Sequence, residues 1–102
     1  MNLSSTDKTE IVRKLADCLR LDKSVRKVVV FGSFWTSEAP HDLDVAIFQD
    51  SDESYLPLAL RYRRLTREVA RRIPLDIIPI RSGISPEGFL EEVQRGRVIL
   101  EQ

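Results

Sequence analysis

The stretch Phe31–Asp44, FGSFWTSEAPHDLD, concentrates the residues best suited to chemistry. Asp42 and Asp44 flank Leu43 where an apolar run begins. On an extended strand, residues two apart point the same way, with Cα atoms about 6.5–7 Å apart. Two carboxylates so placed repel each other, and a small cation between them removes the repulsion. Asp76, in LDIIPI, stands one residue into a later apolar run. If the two strands are neighbours, three carboxylates meet at one sheet edge. A hard all-oxygen set without Cys or His partners suits Mg²⁺ or Mn²⁺ rather than Zn²⁺. Three carboxylates can hold two such ions, with substrate phosphates completing their shells. That is a layout for in-line phosphoryl or nucleotidyl transfer.

Gly32 and Ser33 follow the apolar run Val28–Phe31. Glycine lets backbone approach a phosphate closely, and Ser33 offers a hydroxyl and an N–H at a helical start. A D-x-D pair alone is common at strand ends, and Gly-Ser alone is common in turns. The ordered combination of strand, Gly-Ser, loop, D-h-D strand, long helix and Asp-bearing strand is far more specific.

The elements must bring these groups together. The 102 residues are expected to form one domain, 1–102, with an ordinary globular composition of 42% hydrophobic and 31% charged residues. Thr6 or Asp7 is expected to cap a first helix running to about Leu21. Ile11, Leu15, Cys18 and Leu19 make its apolar face. Val25–Phe31 reads as a strand covered on both faces. Ser33 is expected to cap a short turn through Phe34–Ser37, closed by Pro40. Leu43–Phe48 reads as a second strand, with Leu43, Val45 and Ile47 toward the core. A long helix is expected from about Ser54 to Arg72, buried through Leu58, Tyr62, Leu65, Val69 and either Arg72 or Ile73. Leu75–Ile80 reads as a third strand, and Pro79 places it at an edge or at its end. A third helix is expected to begin at Ser85-Pro86-Glu87, present Phe89, Leu90 and Val93, and stop at Gly96. Val98–Leu100 is a last strand or a docking tail. The fold class is α/β (α+β), a small mixed β-sheet flanked by helices, and the short link between the first two strands permits an antiparallel pair.

At these residues the sequence resembles the minimal nucleotidyltransferases of the DNA polymerase beta superfamily. The match runs through Gly32-Ser33, Asp42-Leu43-Asp44, Asp76 and the closing GFLEEVQRGRVILE, essentially the whole chain. The resemblance implies the nucleotidyltransferase-like fold and transfer of a nucleoside monophosphate, AMP from ATP first among the NTPs. It implies that Asp42 and Asp44 ligate two Mg²⁺ ions, or Mn²⁺, with the triphosphate. Asp76 would join one ion and help activate the acceptor hydroxyl, and Gly32 and Ser33 would bind the triphosphate. Domains of this kind often resemble antitoxins paired with a HEPN-type ribonuclease toxin, which they neutralise by adenylylating a tyrosine. Such a protein acceptor implies a hetero-oligomer.

Two departures stand out. Eight residues separate Ser33 from Asp42, and the family loop is commonly slightly longer. The family also often places Arg or Lys and a second Gly just after the Gly-Ser, where this chain has Phe34, Trp35, Thr36 and Ser37. Arg61, Arg64 and Arg67 are candidates to replace that charge, although the helix stripe turns them from the core. These departures favour an alternative, a non-catalytic module that neutralises or scaffolds its partner by contact.

Charge and composition exclude other classes. Sixteen Lys and Arg balance sixteen Asp and Glu, so there is no basic excess for nucleic-acid binding. Glu38–Glu53 holds six acids and no Lys or Arg, while Arg61–Arg72 holds six arginines and one acid. The arginines read as a solvated or partner-facing surface. His41 reads as a solvated loop residue rather than a general base. Phe34 and Trp35 either stack on a nucleobase or cover the sheet edge. The lone Cys18, the absence of a membrane-spanning run and the polar N-terminus point to a cytoplasmic setting.

Overall fold

A computed structural model describes residues 2–83 and 90–102. Helix α1 covers Ser5–Arg20. Its cap is Ser4, rather than Thr6 or Asp7. The Ser4 hydroxyl accepts from the Asp7 N–H, and the Asp7 carboxylate accepts from the Ser4 N–H, both at 3.0 Å. This reciprocal pair satisfies two otherwise orphaned donors. Ile11, Leu15 and Leu19 are buried, as the spacing predicts, and Cys18 is half-buried beside them.

Strand β1 (Val25–Phe31) leads into a single 3₁₀ turn at Gly32–Phe34. The turn starts earlier than expected, because Gly32 takes a left-handed φ of +77° and bends the chain at once. Ser33 lies inside the turn instead of capping it, and its carbonyl accepts from the Ser37 N–H at 2.8 Å.

Strand β2 (Leu43–Gln49) pairs antiparallel with β1. The expected long helix is divided into α2 (Tyr55–Leu65) and α3 (Arg67–Ala70). Thr66 makes the division. It is fully buried and its hydroxyl donates to the Tyr62 carbonyl at 2.7 Å, back-bonding that bends helices. Leu58, Tyr62, Val69 and Ile73 are buried, Leu65 is half-buried and Arg72 is exposed.

Strand β3 (Leu75–Arg81) lies parallel to β2, after the helical crossover. Helix α4 (Leu90–Gln94) and strand β4 (Arg97–Glu101) follow. The expected helix start at Ser85-Pro86-Glu87, Phe89 and the side chain of Leu90 lie outside the described residues. β4 pairs antiparallel with β1, so the last segment is a strand. The sheet order is β3-β2-β1-β4, mixed, with Pro79 on an edge strand as expected.

Each face of the sheet carries its own apolar layer. Val28, Val30, Leu43, Val45 and Ile47 pack with α1, α2 and α3 in the main core. Val29, Phe31, Ala46 and Ile80 form a smaller cluster on the other face with Val93 of α4. Gly96 lies against β1 there. A Cβ on it would come within 2.7 Å of the Val29 side chain and of the Val30 carbonyl oxygen. Among the described residues, no helix is long and apolar enough to cross a membrane.

Candidate active site

The three predicted aspartates share one end of the sheet. Asp44 is the second residue of β2 and Asp76 the second of β3, and they are direct partners in the parallel register. The Leu43 N–H donates to the Pro74 carbonyl at 2.9 Å, which fixes that register at its first residue. Asp42 immediately precedes β2 and is exposed, as is Asp76, while Asp44 is half-buried. By strand alternation Asp44 lies on the face of Phe31 and Ala46, away from α1 and α2.

Gly32 forms the floor beneath Asp44. A Cβ at Gly32 would lie 2.3 Å from Oδ2 of Asp44. Any side chain there would expel the carboxylate, so the glycine is required for space as well as for its positive φ.

The electrostatics set Asp44 apart. Burial raises the Asp44 carboxyl above the ordinary carboxylate range, and the charges of Asp42, Asp76 and Glu92 raise it further. Glu92, an exposed residue of α4, is a fourth carboxylate within reach of the cluster. Sequence reasoning missed it. The only local signal was its place beside Val93, which packs onto the Asp44 face of the sheet.

The donor set is chemically suited to a hard divalent cation. It is all carboxylate oxygen, and its mutual repulsion is of the kind a cation offsets. Among the described residues, no three His, Cys, Asp or Glu side chains are already gathered as a metal-binding group. The fit therefore lies in the placement and chemistry of the donors, not in a preformed cage.

Other sequence candidates sort clearly. Phe34 is fully buried, so it packs in the core and cannot stack on a base. Trp35 is half-buried, donates from Nε1 to the Val30 carbonyl at 2.8 Å, and packs edge-on against Phe34. His41 is exposed. Arg61 is engaged elsewhere, with Asp22 at 2.7 Å and with Glu53. Arg64 and Arg67 are exposed on α2 and α3, which pack on the face opposite Asp44. The structure thus brings none of these three arginines to the aspartates.

The comparisons with known proteins bear on this arrangement. Residues 13–102 match the family model described as polymerase beta, nucleotidyltransferase. No curated protein sequence matches. Solved structures share the fold. The toxin–antitoxin MntA–HepT matches with a TM-score of 0.57 and 14% identity, over 92% of this chain and 73% of that one. A tri-AMPylated Shewanella oneidensis HEPN toxin in complex with MNT antitoxin matches with a TM-score of 0.60 and 15% identity, over 93% and 73%. A toxin–antitoxin with AMP-PNP matches with a TM-score of 0.60 and 17% identity, over 89% and 73%. With Asp44 and Asp76 paired on neighbouring strands and the family model matching residues 13–102, the chain belongs to the polymerase beta nucleotidyltransferase family.

Proposed function

We propose that the chain transfers a nucleoside monophosphate, AMP from ATP, to a hydroxyl of a partner protein, a tyrosine of a HEPN-type toxin, and so acts as its antitoxin. The observation that carries this reading is the direct pairing of Asp44 with Asp76 over the Gly32 turn. The solved relative with an AMPylated HEPN toxin supports the acceptor, and the one with AMP-PNP supports the nucleotide.

In this reading Asp42, Asp44 and Asp76 hold two Mg²⁺ ions, or Mn²⁺. Bound there, the metal offsets charge on the triphosphate and on the departing pyrophosphate. Gly32 brings backbone close to the triphosphate, and Ser33 adds an exposed polar residue. Asp76, exposed at the site's rim, helps to activate the tyrosine hydroxyl by drawing on its proton. The tyrosine oxygen bonds to the α-phosphorus as the bond from that phosphorus to the β-phosphate oxygen breaks, and pyrophosphate leaves. The two proteins form a hetero-oligomer in the cytoplasm.

One observation favours the alternative, a contact module without catalysis. Phe34, Trp35, Thr36 and Ser37 supply no cation to the phosphate loop, and the helix arginines do not reach it. A single experiment separates the readings. The partner toxin is incubated with wild type or Asp44→Asn, ATP and Mg²⁺, then measured by intact mass and by ribonuclease activity. An adenylyl increment that requires Asp44 establishes transfer. Neutralisation that survives Asp44→Asn with no increment establishes the contact module.

A further inference from the structure

A polar cavity of about 400 Å³ opens on the α1 side of the Gly32–Ser37 loop. Lys8, Trp35, Thr36, Ser37, Glu38 and Arg97 contribute to its wall. It is separate from the aspartates. Arg97 pairs with Val30, whose side chain lies in the core layer under α1, whereas Asp44 pairs with Phe31 on the other face.

Two cations converge here, from parts of the chain far apart in sequence. Lys8 Nζ donates to the Ser37 carbonyl at 2.6 Å, using one of its three N–H groups, and also lies 5.7 Å from the centroid of the Phe34 ring. The Arg97 guanidinium lies over the Trp35 ring, 4.3 Å from its centroid. A guanidinium held over an aromatic ring by its charge still has N–H groups with which to donate to an anion. Among the described residues, neither Lys8 nor Arg97 takes part in an ion pair. Trp35 is anchored by its bond to the Val30 carbonyl, so it holds Arg97 in place. Glu38 is the one opposing charge on this wall.

We propose that Lys8 and Arg97, held by Ser37 and Trp35, form an anion site that takes a phosphate or diphosphate group on the back of the loop. The site does not depend on the proposed transfer reaction. A compact anion fits because Arg97 occupies the indole face that a base would need.

Trp35 is the sole tryptophan, so its emission reports on the cavity directly. The experiment titrates sodium pyrophosphate, without divalent metal, into the full chain at constant ionic strength. A saturable change in emission is expected, unchanged in Asp44→Asn, with affinity reduced roughly tenfold or more in Lys8→Met and in Arg97→Gln. Glu38→Gln is expected to bind severalfold more tightly, which tests the charge balance without removing a contact. A single-stranded dodecanucleotide is the parallel arm. Binding by pyrophosphate assigns the site to free phosphates, and additional binding by the oligonucleotide extends it to backbone phosphates. A response matched by chloride, confined to the oligonucleotide, or unaltered in Lys8→Met, Arg97→Gln and Glu38→Gln alike would overturn the proposal. So would loss of the response in Asp44→Asn.

Discussion

Asp44 on β2 and Asp76 on β3 face each other in the parallel register, one residue beyond the paired Leu43 and Leu75. Burial and the like charges around Asp44 favour its neutral form. In chelator, Asp44→Asn is therefore expected to leave stability unchanged or to raise it, by up to about 1 kcal/mol for like charges several ångströms apart in a water-rich setting. The sign with pH follows from the raised carboxyl. Its favourable contribution to folding is present below the unfolded-state value and is lost as pH rises through the higher folded-state value. The advantage of the variant should thus grow with pH across the acidic range. Urea melts at several pH values check this, and a clear loss of stability in Asp44→Asn at neutral pH would contradict it.

Metal should reverse that relationship. If Asp42, Asp44 and Asp76 hold Mg²⁺, saturating metal with AMP-PNP stabilises the wild type, by about 2.7 kcal/mol at a hundred times the dissociation constant. Asp44→Asn should show little of this gain. Thermal melts with and without EDTA give the comparison, and equal shifts in the two proteins would remove Asp44 from the site.

Gly32 offers a cleaner probe of the floor. Gly32→Ala meets Asp44 Oδ2 and must keep a positive φ. A cost of about 1–3 kcal/mol is expected, together with loss of metal-dependent nucleotide binding. Adding Asp44→Ala removes the clash but not the backbone strain. The double variant should therefore recover part of the stability and none of the binding. Additive stability losses would show that the two groups do not touch.

A different pair governs acid sensitivity. Burial pushes the Asp22 carboxyl up, but bonds from the Ser24 hydroxyl and N–H and from Arg61 outweigh it and hold the group below its ordinary range. Its contribution is present above the unfolded-state value and is lost as pH falls through the depressed folded-state value. Arg61→Met should cost about 1–3 kcal/mol at neutral pH and flatten that acid limb. Chemical denaturation of both proteins from neutral to strongly acidic pH measures it. Parallel profiles would show that Asp22 does not depend on Arg61.

Much of this was legible because it depends on short-range periodicity. Alternation alone placed Leu43, Val45 and Ile47 inward and Asp44 on the other face, and Pro79 alone marked an edge strand. What periodicity cannot convey is which of several equivalent groups the fold uses. Ser4, Ser5, Thr6 and Asp7 can all cap a helix, and only the reciprocal bond between Ser4 and Asp7 selects one. Thr66 fits the apolar stripe of one long helix, and its bend comes from a hydroxyl bonded to the turn before it. Glu92 reaches the aspartates only because α4 packs onto the sheet, and Arg97 meets Trp35 only through the β1–β4 pairing. Such contacts join distant segments, so no local pattern records them.

The parallel placement of β3 also dictates an order of events. β1 and β2 are sequential antiparallel strands joined by a short loop, so Asp42, Asp44 and the Gly32 turn assemble from neighbouring chain. Asp76 can join them only when the α2–α3 crossover closes, and such non-local pairings are the slow ones. During refolding, helical signal should therefore recover before nucleotide binding does. A chain whose crossover has not closed presents two of the three aspartates and is silent, so the charged centre is complete only once β3 has docked beside β2.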